Sequence, residues 1–473
     1  MNRRDFIKRV AAFTAFGSVV SNNILNGETI LANQAVNISL NKKPNFVFFL
    51  VDDLGWKDSS TYGSKCYETP NLDKLAKQGM LFTDAYAAAA VCSPTRASIL
   101  TGKYPARLHL THAIGVPAQT DRKLLAPNWT QYMSLNEVTI AEALKPAGYI
   151  SGSFGKWHVE GTPKYYPSLQ GFDDTSFERH IVDKFYPYYT NPPYPEGEEG
   201  EYITDRLTDD SVKFIEKNKD KPFFLYLSHY AVHVPIQSKQ ELIDKYSQKD
   251  ECNCGEHRNH PYAAMIQSVD ESLGAVMDKL TELGIDDRTV VIFMSDNGGL
   301  SSVTSNAPLR SGKASEFEGG IREPMVIKWP GVTKPGTVCS EPVISTDFYP
   351  TMLEMAGLPL MPQQHVDGVS IVPLLKQTGK LGREAIYWHF PHYHSTFVTP
   401  WSAVRKGDWK LIEYFENEGD ARWALYNLKD DIGEQNNLAL TNTAKRDELK
   451  SMLENWQTAV GAQIPTVNPN YNP

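Results

Sequence analysis

The 473-residue chain has little cysteine, no surplus of positive charge and no long apolar run beyond its N-terminal segment. Five cysteines, Cys66, Cys92, Cys252, Cys254 and Cys339, are too few for a disulfide-built scaffold. A formal net charge of −9 argues against a general nucleic-acid binder, whose affinity rests on neutralising phosphates. No later stretch reaches the roughly 18 apolar residues that a membrane-spanning helix needs. Internal repeats are absent. Low complexity is excluded too, because 9 Trp, 23 Tyr and 20 Phe are ample for a core. At about 150 residues per domain the length allows roughly three domains, although α/β enzymes often exceed that size as one.

What is present begins with an address. Arg3-Arg4-Asp5-Phe6, followed by a mildly apolar stretch from Val10 to Leu25, resembles a twin-arginine export signal. Cleavage is expected near Ala32 to Ala35. The expected partition is a signal over 1–33, a catalytic domain over 34–375 and a smaller C-terminal domain over 376–473. The twin-arginine translocase is then a partner, and the destination is the periplasm or the exterior. Export favours disulfides, but an odd cysteine count leaves one over. Cys92 is the natural odd one; Cys66, Cys252, Cys254 and Cys339 allow three pairings. Cys252-x-Cys254 with His257 and His260 hints at a zinc site, yet lacks a clear fourth ligand and reads as a surface insertion.

Phe46-Val47-Phe48-Phe49-Leu50-Val51 is a continuous apolar run that ends at Asp52-Asp53, the pattern of a buried parallel strand with acids at its C-terminal end. Phe223 to Leu227 ends near His229 and His233, and Val290 to Met294 ends at Ser295-Asp296-Asn297-Gly298. Helices are expected from Thr69-Pro70 to Gln78, with Thr69 as the cap, and from Pro261 to Leu283. Strands alternating with helices predict an α/β fold with a mainly parallel sheet, whose ligands sit beyond the C-terminal strand ends. Residues 183–202, rich in Pro, Tyr, Gly and Glu, read as a loop. After residue 375 short alternating strands around Tyr387, Val404, Trp409 and Trp423, with a turn at Gly407-Asp408, predict a small antiparallel sheet closed by a helix from Lys445 to Trp456.

The chemistry centres on Cys92-Ser93-Pro94-Thr95-Arg96. Pro94 suits a first helical turn, so Cys92 falls at a helix N-terminus, where free N–H groups favour an anion, and Arg96 lies on the same side one turn on. Cys-x-Pro-x-Arg followed by Thr101-Gly102 resembles the signature of the type I sulfatases, of the alkaline phosphatase-like superfamily. The resemblance runs over most of the chain: Asp52-Asp53 with its strand, Gly155-Lys156-Trp157-His158, His233-Val234-Pro235, Ser295-Asp296-Asn297-Gly298, and Gly312-Lys313 with Glu318-Gly319-Gly320-Ile321-Arg322-Glu323-Pro324. Glu323 stands where many relatives carry Val and is expected to affect packing only.

The resemblance implies a sulfuric ester hydrolase acting on an organic sulfate, with a sulfated carbohydrate as the contextual expectation. It implies that Cys92 is oxidised to formylglycine (3-oxoalanine) by a formylglycine-generating or anaerobic sulfatase-maturing enzyme. A thiolate attacking sulfur would leave a stable thiosulfate ester, whereas a hydrated aldehyde forms a sulfate hemiacetal that collapses by losing sulfate. Asp52, Asp53, Asp296 and Asn297 offer only oxygen, which suits Ca²⁺ or Mg²⁺; family precedent is Ca²⁺, with the modified Cys92 as a further ligand. By resemblance Asp296 receives the attacking hydroxyl's proton, His233 and Lys313 face the leaving oxygen, His158 drives collapse, and Arg96 and Lys156 hold the diol and sulfate. Lys156, His233, Lys313 and, from a His389, His392, His394 loop, His392 are the expected substrate contacts. His229 reads as packing, and His109 and His112 as surface loop. The rivals are a phosphodiesterase or phosphonate monoester hydrolase of the same superfamily, and a non-catalytic Ca²⁺-dependent binder of sulfated glycans.

Overall fold

A computed structural model describes residues 43–176, 200–250 and 259–472. The expected export signal, most of the 183–202 stretch, and Cys252, Cys254 and His257 lie outside them. Ten strands build or flank the first sheets: β1 (Asn45–Val51), β2 (Met80–Tyr86), β3 (Leu124–Leu125), β4 (Ile150–Gly155), β5 (Asp174–Thr175), β6 (Phe223–Ser228), β7 (Thr289–Ser295), β8 (Arg322–Lys328), β9 (Thr337–Cys339) and β10 (Val343–Ile344). Among the described residues, nine of these form the central sheet in the order β10-β2-β8-β7-β1-β6-β4-β5, with β9 on β2. β8 alone runs antiparallel to its neighbours. The expected α/β class with a mainly parallel sheet is therefore the observed one.

The apolar run of β1 explains its central place. Its residues alternate between two cores, Phe46, Phe48 and Leu50 on one face and Val47, Phe49 and Val51 on the other. All six are fully buried, as a strand covered on both faces requires. Helices α1 (Pro70–Gln78), α2 (Cys92–Thr101), α3 (Ile203–Asn218), α4 (His260–Glu282) and α5 (Phe348–Met355) supply the cover. The first of these corrects an expectation. Thr69 makes no side-chain cap; its hydroxyl accepts from Ser60 N at 3.0 Å. Asp270 of α4 caps α1 from outside, accepting from Asn71 N at 3.0 Å and Leu72 N at 2.9 Å.

The C-terminal sheet is β11 (Ile386–Phe390), β12 (Trp401–Lys406), β13 (Trp409–Tyr414) and β14 (Trp423–Asn427), paired antiparallel in that order. The β12–β13 hairpin turns at Gly407-Asp408, with Gly407 at φ 58°, as its sequence implies. Helix α6 (Thr443–Val460) closes it. One core joins this sheet to the segment before Cys92: Trp388, Phe390 and Trp401 pack with Tyr86, Ala88, Ala90 and Val91. Cys92 and Cys339 are free thiols, while Cys66 is disulfide-bonded. The free Cys339 overturns the expectation that all four remaining cysteines pair.

Candidate active site

Each strand that carries chemistry releases it at its C-terminal end. β1 delivers Asp52 and Asp53, β7 delivers Asp296 and Asn297, β6 delivers Ser228, and β4 runs straight into Lys156. Two glycines make these turns feasible. Gly155 has φ 95° and a Cβ there would lie 2.0 Å from the Ser228 carbonyl oxygen; at Gly298 it would lie 1.8 Å from that of Gly319. Asp53 and His158 themselves have φ of 60° and 58°, strained values held by the surrounding packing.

The groups converge on Cys92, the first residue of α2, which is 2% exposed. Its Sγ and carboxylate oxygens of Asp52 and Asp296 all lie within 4.8 Å of one another. Arg96, one turn along α2, donates to Asp296 Oδ2 from Nη2 at 2.6 Å and Nε at 2.9 Å. Its Nη1 donates to the Lys156 carbonyl at 2.9 Å and to the Ser228 hydroxyl. Lys156 Nζ donates to Asp52 Oδ2. Lys313 Nζ donates to Asp53 Oδ2 at 2.7 Å, and Asn297 Nδ2 to Asp53 Oδ1 at 2.7 Å. All of the predicted residues except His392 thus fall in one buried cluster with His158 and His233. Ser228, which orients Arg96, was not anticipated; it ends an apolar strand as Asp52 and Asp296 nearly do, and that was the available signal.

Electrostatics divide the cluster. Burial would raise Asp52, but Lys156, then His233, Arg96 and Lys313 outweigh it and hold the carboxylate far below its ordinary range. Asp296 goes the other way: burial and the Asp52 charge push it up to about 6 despite Arg96 and Lys156. Burial opposes the Lys313 charge, but Asp53 prevails and keeps it protonated. Burial pushes the Cys92 thiol up, with Lys156 and Lys313 offsetting only part, so the site does not favour a thiolate. His158 Nε2 contacts the Ile114 carbonyl at 3.2 Å, so it carries the proton, and its buried Nδ1 has no partner among the described residues. Burial and the neighbouring Lys156 keep that ring neutral, its pKa well below 6.5. His233 Nδ1 donates to the Val234 carbonyl at 2.6 Å, which turns Nε2 toward Asp53 Oδ2 at 3.6 Å.

A hard cation fits these donors. Asp52 Oδ1 and Asn297 Oδ1 are buried with no hydrogen-bond partner among the described residues, so two oxygen ligands stand ready beside Asp53 and Asp296.

Several expectations need correction. His392 is 1% exposed, and its Nε2 bonds the Thr111 hydroxyl at 2.8 Å, so it does not face a substrate. His112, expected on the surface, is 2% exposed and packs tilted, its ring centre 4.9 Å from that of His392, its pKa pushed down to about 3 chiefly by burial. His229 packs on Phe49 and contacts Ser272, in agreement with its reading. Glu323 is more than packing. It is fully buried, and neither of its carboxyl oxygens has a hydrogen-bond partner among the described residues. It precedes by two residues Met325, which pairs with Met294, itself two residues before Asp296.

Burial, with the charges of Asp296 and Asp53, drives the Glu323 carboxyl well above its ordinary 4.5. The folded pKa exceeds the unfolded one, so folding takes up a proton, and stability is lost as pH rises above 4.5 toward the folded pKa. Glu323→Gln removes that loss. In chelator-treated protein its stability gain over the unaltered chain should grow by up to about 1.4 kcal/mol per pH unit above 4.5. Thermal unfolding at pH 5 and pH 8 checks this; an equal shift at both would mean that the carboxyl is ionised.

A buried oxygen-ligand cage beneath a helix N-terminus, with lysine and arginine arrayed around it, defines a hydrolase of anionic tetrahedral esters. The chain belongs to the sulfatase family: the model "Sulfatase" matches residues 44–358, and "N-sulphoglucosamine sulphohydrolase, C-terminal" matches 312–460. It is 32% identical to a sulfatase of Formosa agariphila, over 93% of this chain and 91% of that one. It is 31% identical to arylsulfatase A of Homo sapiens, over 83% and 79%. The crystal structure of Ps i-CgsB in complex with k-i-k-neocarrahexaose superposes with a TM-score of 0.76 at 30% identity, covering 91% of this chain and 95% of that one. The chain is an enzyme that hydrolyses sulfate esters.

Proposed function

We propose that the substrate is a sulfated carbohydrate, that the nucleophile is formylglycine made from Cys92 by a maturation enzyme, and that the cation is Ca²⁺. The observation that carries this reading is the placement of Cys92: it lies at a helix N-terminus, within 4.8 Å of two metal-type carboxylates, in surroundings that keep a thiol neutral. A neutral buried thiol is a poor nucleophile, so the position makes chemical sense for a modified side chain. The 30%-identical relative crystallised with a neocarrahexaose supports a sulfated sugar.

In this reading Arg96 and Lys156 clamp the sulfate and the hydrated aldehyde, fixed by Asp296, Ser228 and Asp52. The partnerless Nδ1 of His158 accepts a proton, as a ring kept neutral must. Asp296, raised toward neutrality, exchanges a proton with the attacking hydroxyl. Lys313 remains charged and neutralises the leaving oxygen, with His233 beside it. Asp52, Asp53, Asp296 and Asn297 would hold the cation, which would supply positive charge to the sulfate.

The test is sulfate release from a panel of sulfated galactan and glycosaminoglycan mono- and oligosaccharides, with a phosphodiester and a phosphonate monoester alongside. Sulfated sugars should be cleaved fastest. Preference for either phosphorus ester would replace this reading with that of the rival hydrolase; sugar binding without release would support the non-catalytic binder.

A further inference from the structure

The ten residues joining β11 to β12 carry a feature that the chemistry at Cys92 does not use. Phe397 is 97% exposed and sits at φ 66°, a backbone region that a bulky residue seldom adopts. The turn is closed from both sides: Phe397 N donates to the His394 carbonyl at 3.1 Å, and His394 N to the Val398 carbonyl at 3.0 Å. A large ring is thus held in solvent, and it buries nothing for the fold.

The loop is anchored beside the active site by contacts that leave little play. Trp401, at its far end, donates from Nε1 to the carbonyl of Ala314, the residue after Lys313, at 3.2 Å. At its near end His392 bonds Thr111 and packs, tilted, against His112. Two residues on, Ile114 donates from its N to Ser93 Oγ at 3.0 Å, next to Cys92, and its carbonyl meets His158. His394 lies 5.9 Å, ring to ring, from His112.

His394 presents a defined polar edge. Its Nδ1 accepts from Thr396 N at 3.3 Å and meets the Thr396 hydroxyl at 2.9 Å, so Nε2 carries the proton. That Nε2–H has no hydrogen-bond partner among the described residues. Burial and the facing Lys313, opposed by Asp53, push the pKa of the ring down to about 4, so it is uncharged through the neutral range.

We propose that the 391–400 loop is a sugar subsite next to the sulfate pocket, in which His394 Nε2 donates to a sugar hydroxyl and the Phe397 ring stacks on the adjoining sugar of an oligosaccharide chain. A neutral donor three residues from an exposed aromatic platform is the chemistry that recognises a pyranose: one hydroxyl edge and one apolar C–H face. Anchoring by Trp401 and His392 lowers the cost of ordering the loop on binding. The inference rests on the sulfated-carbohydrate reading and adds that the enzyme prefers chains to single sugars or aryl esters.

The test measures kcat and KM on 4-methylumbelliferyl sulfate, k-i-k-neocarrahexaose and a chondroitin 6-sulfate tetrasaccharide. Phe397→Ala should lower the ratio of oligosaccharide to aryl-ester kcat/KM about tenfold, mainly through KM, with unchanged thermal unfolding, and Phe397→Trp should restore it. His394→Ala should lower the same ratio at least as far. Equal losses on the ester and the oligosaccharide, or no change in the ratio, would overturn the subsite alone. If the unaltered enzyme cleaves the aryl ester and neither oligosaccharide, the carbohydrate reading fails and takes the subsite with it.

Discussion

Cys92→Ala should abolish sulfate release, by about ten-thousandfold or more, in a protein that still folds. The expectation rests on the absence of a substitute. Among the groups around Cys92, Arg96, Lys156 and Lys313 are cations that bond carboxylates, and Asp52 is held ionised by them. None can act as the nucleophile that attacks sulfur and then lets go. The fold should survive, because Cys92 contributes one buried sulfur at the start of α2 and deleting it leaves a cavity worth about 1 kcal/mol. Thermal unfolding beside a sulfate-release assay separates the two effects. Cys92→Ser, close in shape, should fail equally in a host whose maturation enzyme accepts only cysteine. Mass spectrometry of the peptide bearing Cys92 should show the aldehyde in the active protein. Substantial activity in the Ala variant, or an unmodified thiol in fully active enzyme, would end the formylglycine reading.

The strands that announce themselves in the sequence are those whose apolar runs are unbroken. β1, β6 and β7 are buried on both faces, and their runs stop where polar chemistry begins, so Asp52 and Asp296 could be read as site residues before any fold was known. β4 gave no such signal. Its Ile-Ser-Gly-Ser-Phe-Gly is built of small residues because a Cβ at Gly152 would press within 2.7 Å of Phe154 and 2.8 Å of Phe214. β8 was hidden for another reason: it begins Arg322-Glu323-Pro324, and a buried arginine there is made tolerable by Glu318, four residues back, and by Asp84, distant in sequence. The same limit applied to the histidines. His112 reads as a surface residue and His392 as a substrate contact until Thr111, Trp129 and Phe390 are seen around them. Residues whose role is set by the local chain were legible; those whose role is set by a neighbour from another element were not.

Loss of one carboxylate should be nearly as damaging as loss of the nucleophile, and Asp53→Asn isolates why. Asp53 accepts from Lys313 through one oxygen and from Asn297 through the other, and its neighbours Asp52 and Asn297 each keep an unbonded, buried oxygen. An alanine would also remove both oxygens that Lys313 and Asn297 donate to and leave a cavity, so a fall in activity could be mere instability. Asparagine keeps the shape and the oxygen and removes one negative charge. A cage of hard ligands depends on both charge and number, so cation affinity should fall steeply and sulfate release by about a thousandfold. Elemental analysis should find Ca²⁺ in the unaltered enzyme and little in the variant. A chelator should lower the melting temperature of the first and leave that of the second almost unmoved, because a ligand bound only by the folded state stabilises only what it binds. Adding Ca²⁺ back should restore activity to the chelated enzyme and not to the variant. Full activity in metal-free protein would show that lysine and arginine alone carry the sulfate charge, and the unbonded oxygens of Asp52 and Asn297 would then need another explanation.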